Sequence, residues 1–134
     1  MAYWLVKSEP EEYNFTDLER DKRVVWDGVR NPQAQKYLKA MVIGDKVLYY
    51  HTGKEKAIVG VARVIQSAYP DPTDPKYVVI DLEPDYRLSH PIYLQEIKVA
   101  FPPESFALLR QPRLSVMPVP PEVWAWVLAK QAKP

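Results

Sequence analysis

The stretch GDKVLYYHTGKEKAIVGVARVIQSAY, residues 44–69, holds two runs rich in Val, Ile and Tyr with a polar segment between them. β-Branched and aromatic side chains suit a pleated, half-buried surface. Thr52 to Lys56 (TGKEK) has the composition of a turn. The stretch therefore reads as a β-hairpin. One strand ends near Thr52, a longer one starts at Ala57, and Lys54 and Lys56 stand at a basic tip. A hairpin of this length places a sheet at the centre of the fold.

Upstream, YWLV at 3–6 reads as a short strand, and Pro10 stops it. Phe15 to Arg20 reads as a helical turn with Asn14 or Thr16 as its cap. Val24 to Trp26 is short and extended. Asn31-Pro32 starts a helix, since Asn caps and Pro suits the first helical position. Ala34, Tyr37, Leu38 and Met41 carry it to Gly44 at helical spacing. Downstream, DPTDP at 71–75 reads as a loop. YVVIDLEPDYRL reads as a third major strand that Pro84 interrupts. Helical turns are expected within 94–99 and 103–110, and RLSVMPVP at 113–120 is extended. Pro121 and Glu122 open a last helix with Val123, Val127 and Leu128 on one face. Interleaved helices and hairpin-joined strands predict an α+β domain on a mostly antiparallel, barrel-like sheet.

The 134 residues suit one domain, 1–134, and 47% of them are apolar. There is no cysteine, hence no disulfide framework, thiolate metal site or cysteine nucleophile. The start, MAYWLVKSEPEEY, lacks the pattern of a secretion signal, and no run reaches the length of a membrane span. These features predict a soluble, cytoplasmic, monomeric protein. Net charge is only +1, but residues 20–63 hold ten Lys and Arg against four acids. The segment WDGVRN at 26–31 lies in this basic stretch.

Most catalytic chemistries find little support. His51 and His90 are the only histidines, and they lack metal-ligand spacing. The four glycines form no phosphate loop. Ser8, Ser115, His51 and Asp27 allow a triad only formally, because no nucleophile elbow surrounds either serine. No catalytic residue, metal or cofactor is assigned. Aromatic residues speak more clearly: sixteen of the 134 are Trp, Tyr or Phe. Trp4, Tyr49, Trp124 and Trp126 have apolar or helical neighbours and read as core. Trp26 and Tyr50 abut polar and turn residues and read as a site for a flat heterocycle, which needs a ring to stack on and donors to read its edge. Asp27-Gly28 would turn the chain after Trp26, leaving little apolar company for a buried indole there.

YWLVKSEP (3–10), WDGVRNPQAQ (26–35), GDKVLYYHT (44–52), IVGVARVIQSAYPDPT (58–73), PKYVVIDLEP (75–84) and RLSVMPVP (113–120) occur in one order along nearly the whole chain. This set resembles the EVE domain family. The resemblance implies a PUA-like fold, a small twisted β-barrel of about five to six strands with short flanking helices. It also implies a non-catalytic module that binds a modified base in an aromatic-lined pocket, with a modified cytosine in DNA favoured over RNA. The YTH domains, distant relatives that read a methylated adenine in RNA, carry a similar Lys-Ser and cage tryptophan. By that likeness Lys7, Ser8 and Trp26 fall at the pocket. Asn31, Tyr50, His51, Thr52 and Tyr77 are expected along its wall, and Arg113 and Ser115 at its rim. Arg30, Lys36, Lys39, Lys54 and Lys56 are the candidate phosphate contacts, Arg30 having Asp27 as an alternative partner.

The chain also departs from the family pattern. Gln35 stands where members usually have Arg, which removes a basic group. Tyr77 replaces a usual Trp. PUA-like relatives of the ASCH type include small hydrolases acting on acylated nucleosides. A Lys7, Ser8 and Glu9 cluster offers a hydrolase of that kind as the alternative function.

Overall fold

The structure, a computed structural model, describes residues 1–131. Six strands form one sheet: β1 (Tyr3–Ser8), β2 (Val24–Trp26), β3 (Lys46–His51), β4 (Ala57–Asp71), β5 (Asp74–Tyr93) and β6 (Val116–Pro118). Their order across the sheet is β2-β5-β4-β3-β1-β6. The fold is α+β and PUA-like. All pairs are antiparallel except β1 with β3, where Leu5 faces Leu48 and Ser8 faces His51. The expected hairpin is β3–β4.

Two sequence expectations fail here. Pro84 does not interrupt β5, which runs for 20 residues. Its missing N–H is tolerated because Pro84 sits opposite Ala62 at a register shift, one of several irregularities along β4–β5. The expected loop at 71–75 is a tight turn. The Asp71 carboxylate accepts from Thr73 N (2.9 Å) and Oγ1 (2.8 Å), so β5 starts at Asp74. These bonds hold the Asp71 carboxyl below its ordinary pKa.

Bulges bend and twist strands, and the repeated shifts along β4–β5 curl the sheet. β2 and β6 are left as its two edges, with a seam between them. Helix α2 (Pro32–Ala40) packs against β4, β5 and β6, and so reaches from one side of the seam to the other. Asn31 caps α2 by accepting from Ala34 N (3.0 Å), with Pro32 at its start. Helix α1 (Phe15–Asp21) is capped by Asn14, which exchanges bonds with Asp17. Beyond β5 come α3 (Leu94–Ala100), a 3₁₀ turn at Pro103–Ser105, α4 (Ala107–Arg110) and α5 (Pro121–Gln131). Val123 and Val127 of α5 are buried, but Leu128 is not, contrary to the single apolar face expected.

The core contains Leu5, Leu18, Leu38, Leu48, Ile58, Ile80 and Leu82, all inaccessible to solvent. Trp4 and Tyr49 belong to it, as their neighbours suggested. Trp124 and Trp126 are half-buried against it, stacked on Tyr3 (4.5 Å between centroids) and set edge-on to Phe101 (5.3 Å). Gly60 of β4 is dictated by packing. A Cβ there would lie 2.5 Å from the Phe15 ring, so the ring can rest only on a bare strand.

Candidate nucleic-acid interface

The seam opens into a cleft of about 540 Å³. Its walls come from the end of β1 (Lys7, Ser8), the turn that follows (Glu9, Glu12, Tyr13), β2 with residues 27–30 after it, and Ser115 just before β6. Glu9 O accepts from the N–H groups of Glu12 and Tyr13 at 2.9 Å, which folds the turn back over Ser8. Gly28, at φ +78°, supplies the left-handed residue that Trp26-Asp27 needs to turn back toward α2.

Trp26 lines the cleft, yet it is only 9% exposed. Its ring stands edge-on to Tyr49 at 5.5 Å, so it has the apolar company that its turn neighbours seemed to deny it. Its indole N–H finds no acceptor among the described residues and is not sealed from solvent. The site therefore has an aromatic wall with an open donor. Tyr49 backs the indole from within the core and does not itself line the cleft. Burial raises the Tyr49 hydroxyl to about 12, and it donates to Tyr13 O (2.9 Å).

Lys7 and Ser8 are held rather than free. Lys7 Nζ donates to Pro112 O (2.8 Å) and lies 6.0 Å above the Tyr50 ring, and burial lowers its pKa. Ser8 Oγ donates to Tyr13 O (2.6 Å). Asp27, beside the tryptophan, is exposed and has no partner among the described residues, so Arg30 is not its ion-pair partner. The Arg30 guanidinium instead lies over the Tyr77 ring at 4.3 Å, with its outer side open.

Of the expected site residues, the cleft brings together Lys7, Ser8 and Trp26 of the pocket, Ser115 of the rim and Arg30 of the phosphate contacts. The others lie elsewhere. Tyr50 is buried at 3% exposure beneath Lys7. His51 is a buried anchor. Its Nε2 accepts from Phe15 N (3.1 Å), which leaves the proton on Nδ1 facing Glu55 (2.8 Å). Thr52 lies at the hairpin base, where its N–H bonds Ser8 O. Tyr77 serves as the platform for Arg30. Asn31 and Arg113 line a second, neighbouring hollow. Lys36, Lys39, Lys54 and Lys56 are exposed without ion pairs among the described residues, and none lines the cleft.

Sequence reasoning missed Glu12 and Tyr13, whose only signal is their place just after Pro10. It also missed the role of Gln35. That side chain is buried, and its Nε2 donates to Val29 O (2.8 Å) and Val78 O (3.0 Å) while Oε1 accepts from Val78 N (2.9 Å). The amide ties the cleft loop to β5 and fixes Arg30 over Tyr77. The expected loss of a basic group at this position leaves a structural clamp, not a gap in the cleft.

The EVE domain model matches residues 2–130. The chain belongs to the EVE domain family. Among solved structures it is 42% identical to Rpa0253 of Rhodopseudomonas palustris, at a TM-score of 0.89 over 98% of this chain and 92% of that one. It is 28% identical to the human THYN1 protein, solved in complex with DNA containing 5-methylcytosine, at a TM-score of 0.90 over 100% of this chain and 99% of that one. Thymocyte nuclear protein 1 of Mus musculus is 31% identical over 163 residues, 95% of this chain and 72% of that protein. The likeness to ASCH from Zymomonas mobilis, 13% identical at a TM-score of 0.58, concerns the fold alone. Among the described residues of this EVE domain, no cluster of His, Asp or Glu has the makings of a metal site, and no helix is long and apolar enough to cross a membrane.

Proposed function

We propose that this EVE domain is a non-catalytic reader of a modified cytosine in DNA, taken out of the base stack into the seam cleft. The observation that carries this reading is the open indole N–H of Trp26 on an aromatic wall, beside the unpaired carboxylate of Asp27. A ring can lie against the indole, and a carboxylate accepts from the exocyclic amino group of cytosine. Lys7, Ser8 and Ser115 shape the far wall. Arg30, beyond the turn, has one guanidinium face on Tyr77 and the other free for a phosphate. Lys36, Lys39, Lys54 and Lys56 add phosphate contacts at longer range. The human relative, solved with 5-methylcytosine DNA, supports the choice of ligand. A DNA ligand supports an intracellular location. The mouse relative is named a nuclear protein, which does not support the cytoplasmic expectation.

The hydrolase alternative lacks its parts. Ser8 Oγ is turned to Tyr13 O, Lys7 Nζ to Pro112 O, and both ring nitrogens of His51 are engaged away from the serine. Among the described residues no His, Lys, Asp or Glu side chain is hydrogen-bonded to the Ser8 hydroxyl. The experiment is a titration of a 5-methylcytosine duplex and its unmodified twin against wild type and Trp26→Ala, with melting measured in parallel. A folded Trp26→Ala should lose about 1–3 kcal/mol of binding to the modified duplex. Equal wild-type affinity for both duplexes would overturn the reading.

A further inference from the structure

A second hollow of about 310 Å³ adjoins the cleft, lined by Asn31, Gln33, Gln111, Pro112, Arg113 and Leu114. It shares its dividing wall with the cleft. Arg30 and Asn31 are consecutive and line one hollow each, as do Ser115 and Leu114, and Pro112 is held by Lys7 Nζ. The two differ in charge. The cleft carries Glu9, Glu12 and Asp27 against Lys7 and Arg30. The second hollow has one cation, Arg113, no acid and three side-chain amides.

Each of those amides keeps at least one group that the fold does not use. Gln111 Oε1 is the one buried side-chain polar atom without a hydrogen-bond partner among the described residues. A sealed, unpaired acceptor is uncommon; the other end of the same amide, Nε2, is neither bonded among the described residues nor sealed, and it offers the hollow a donor. Gln33 donates to Tyr37 Oη (3.2 Å), which leaves its own Oε1 free. Asn31 uses Oδ1 for the α2 cap, and its amide N–H groups remain available. Arg113 is exposed and without an ion pair among the described residues. Donors and acceptors side by side recognise a base edge, and a lone arginine recognises a phosphate.

We infer that the second hollow holds the nucleotide next to the modified cytosine in the same strand, its base edge read by Gln111 and Gln33 and its phosphate met by Arg113. This rests on the reading of the cleft as a base pocket. The charges agree with it. The acids repel the backbone from the cleft mouth, and Arg30 and Arg113 draw it across the shared wall.

The test uses the whole chain, free 5-methyldeoxycytidine, and duplexes with one 5-methylcytosine in which the flanking base is varied. Wild type should bind the duplexes with an affinity that depends on that base. Gln111→Leu should shrink the spread by about 10-fold. Arg113→Ala should lower the salt slope of duplex binding by about 1. Both variants should bind the free nucleoside as wild type does. Arg113 is exposed, so its replacement remains informative if Gln111→Leu folds poorly. A wild type indifferent to the flanking base, with Arg113→Ala leaving the salt slope unchanged, would overturn the second site and leave the cleft reading intact. A wild type that binds neither the nucleoside nor any duplex would overturn both.

Discussion

Trp4 and Trp26 stand on strands of one sheet and are almost equally buried, at 7% and 9% exposure. Each meets a tyrosine, Trp4 at 6.1 Å from Tyr37 and Trp26 at 5.5 Å from Tyr49. They differ in one polar atom. Trp4 Nε1 donates to Asp45 Oδ2 (2.9 Å), a buried carboxylate that also accepts from the N–H groups of Ala2 and Val42. Trp26 Nε1 has no such partner. Burial alone does not separate a core tryptophan from a site tryptophan. The separation lies in whether the indole N–H is satisfied.

The largest effect should come from the satisfied corner. Trp4→Ala removes a buried indole and should cost about 3–5 kcal/mol in denaturant unfolding. Asp45→Ala strands the donors it serves and should cost about 2–4 kcal/mol. DNA affinity per folded molecule should stay at the wild-type level in both. A selective loss of binding in Asp45→Ala would erase the contrast between the two tryptophans.

Trp26→Phe sharpens it from the other side. The ring keeps its place against Tyr49 while the open N–H goes. Affinity for the modified duplex should fall by about 0.5–1.5 kcal/mol, with melting nearly unchanged. The converse, a large loss of melting with full binding, would return Trp26 to the core.

The smallest effect concerns Tyr49 and pH. Burial raises the folded hydroxyl from 10.0 to about 12. The stability it contributes is complete below pH 10, where the unfolded chain also keeps the proton. It is lost as pH climbs through the folded value. Tyr49→Phe should be less stable than wild type at neutral pH by about 0.5–1.5 kcal/mol, the worth of the bond to Tyr13 O. That lead should shrink above pH 10, vanish by about pH 11 and reverse toward 12, since a shift of this size is worth about 2.7 kcal/mol in all, as read from unfolding curves across the range. A constant gap would mean the hydroxyl is not sheltered beneath Trp26.

The hairpin, both helix caps and the turn at Asp27-Gly28 were legible in the sequence because local chemistry fixes each of them. Strand continuity through Pro84 was not, since a bulge removes the need for its N–H, and bulges depend on the partner strand. Tyr50 misled for a related reason. A register shift between Tyr49 and Tyr50 breaks the alternation of faces, and both rings end up buried. His51 and Gln35 take partners 36 and 43 positions away, and no pattern within a short window reports such choices. Trp26, Lys7 and Ser8 came together in one cleft because the family motifs carried them, but their hydrogen-bond states are properties of the folded chain.

The Gln35 clamp bears on how this protein would respond to its surroundings. Its uncharged amide ties the cleft loop to β5 with one hydrogen bond to Val29 O and two to Val78. An arginine clamp would bring a charge, with counter-ions to screen it and acids to compete for it. A glutamine neither titrates nor attracts ions, so the loop keeps its shape in dilute buffer, in brine and across the physiological pH range. The readiness of the cleft is in this sense insulated from solvent composition, and only the grip on the phosphates is left to vary with it.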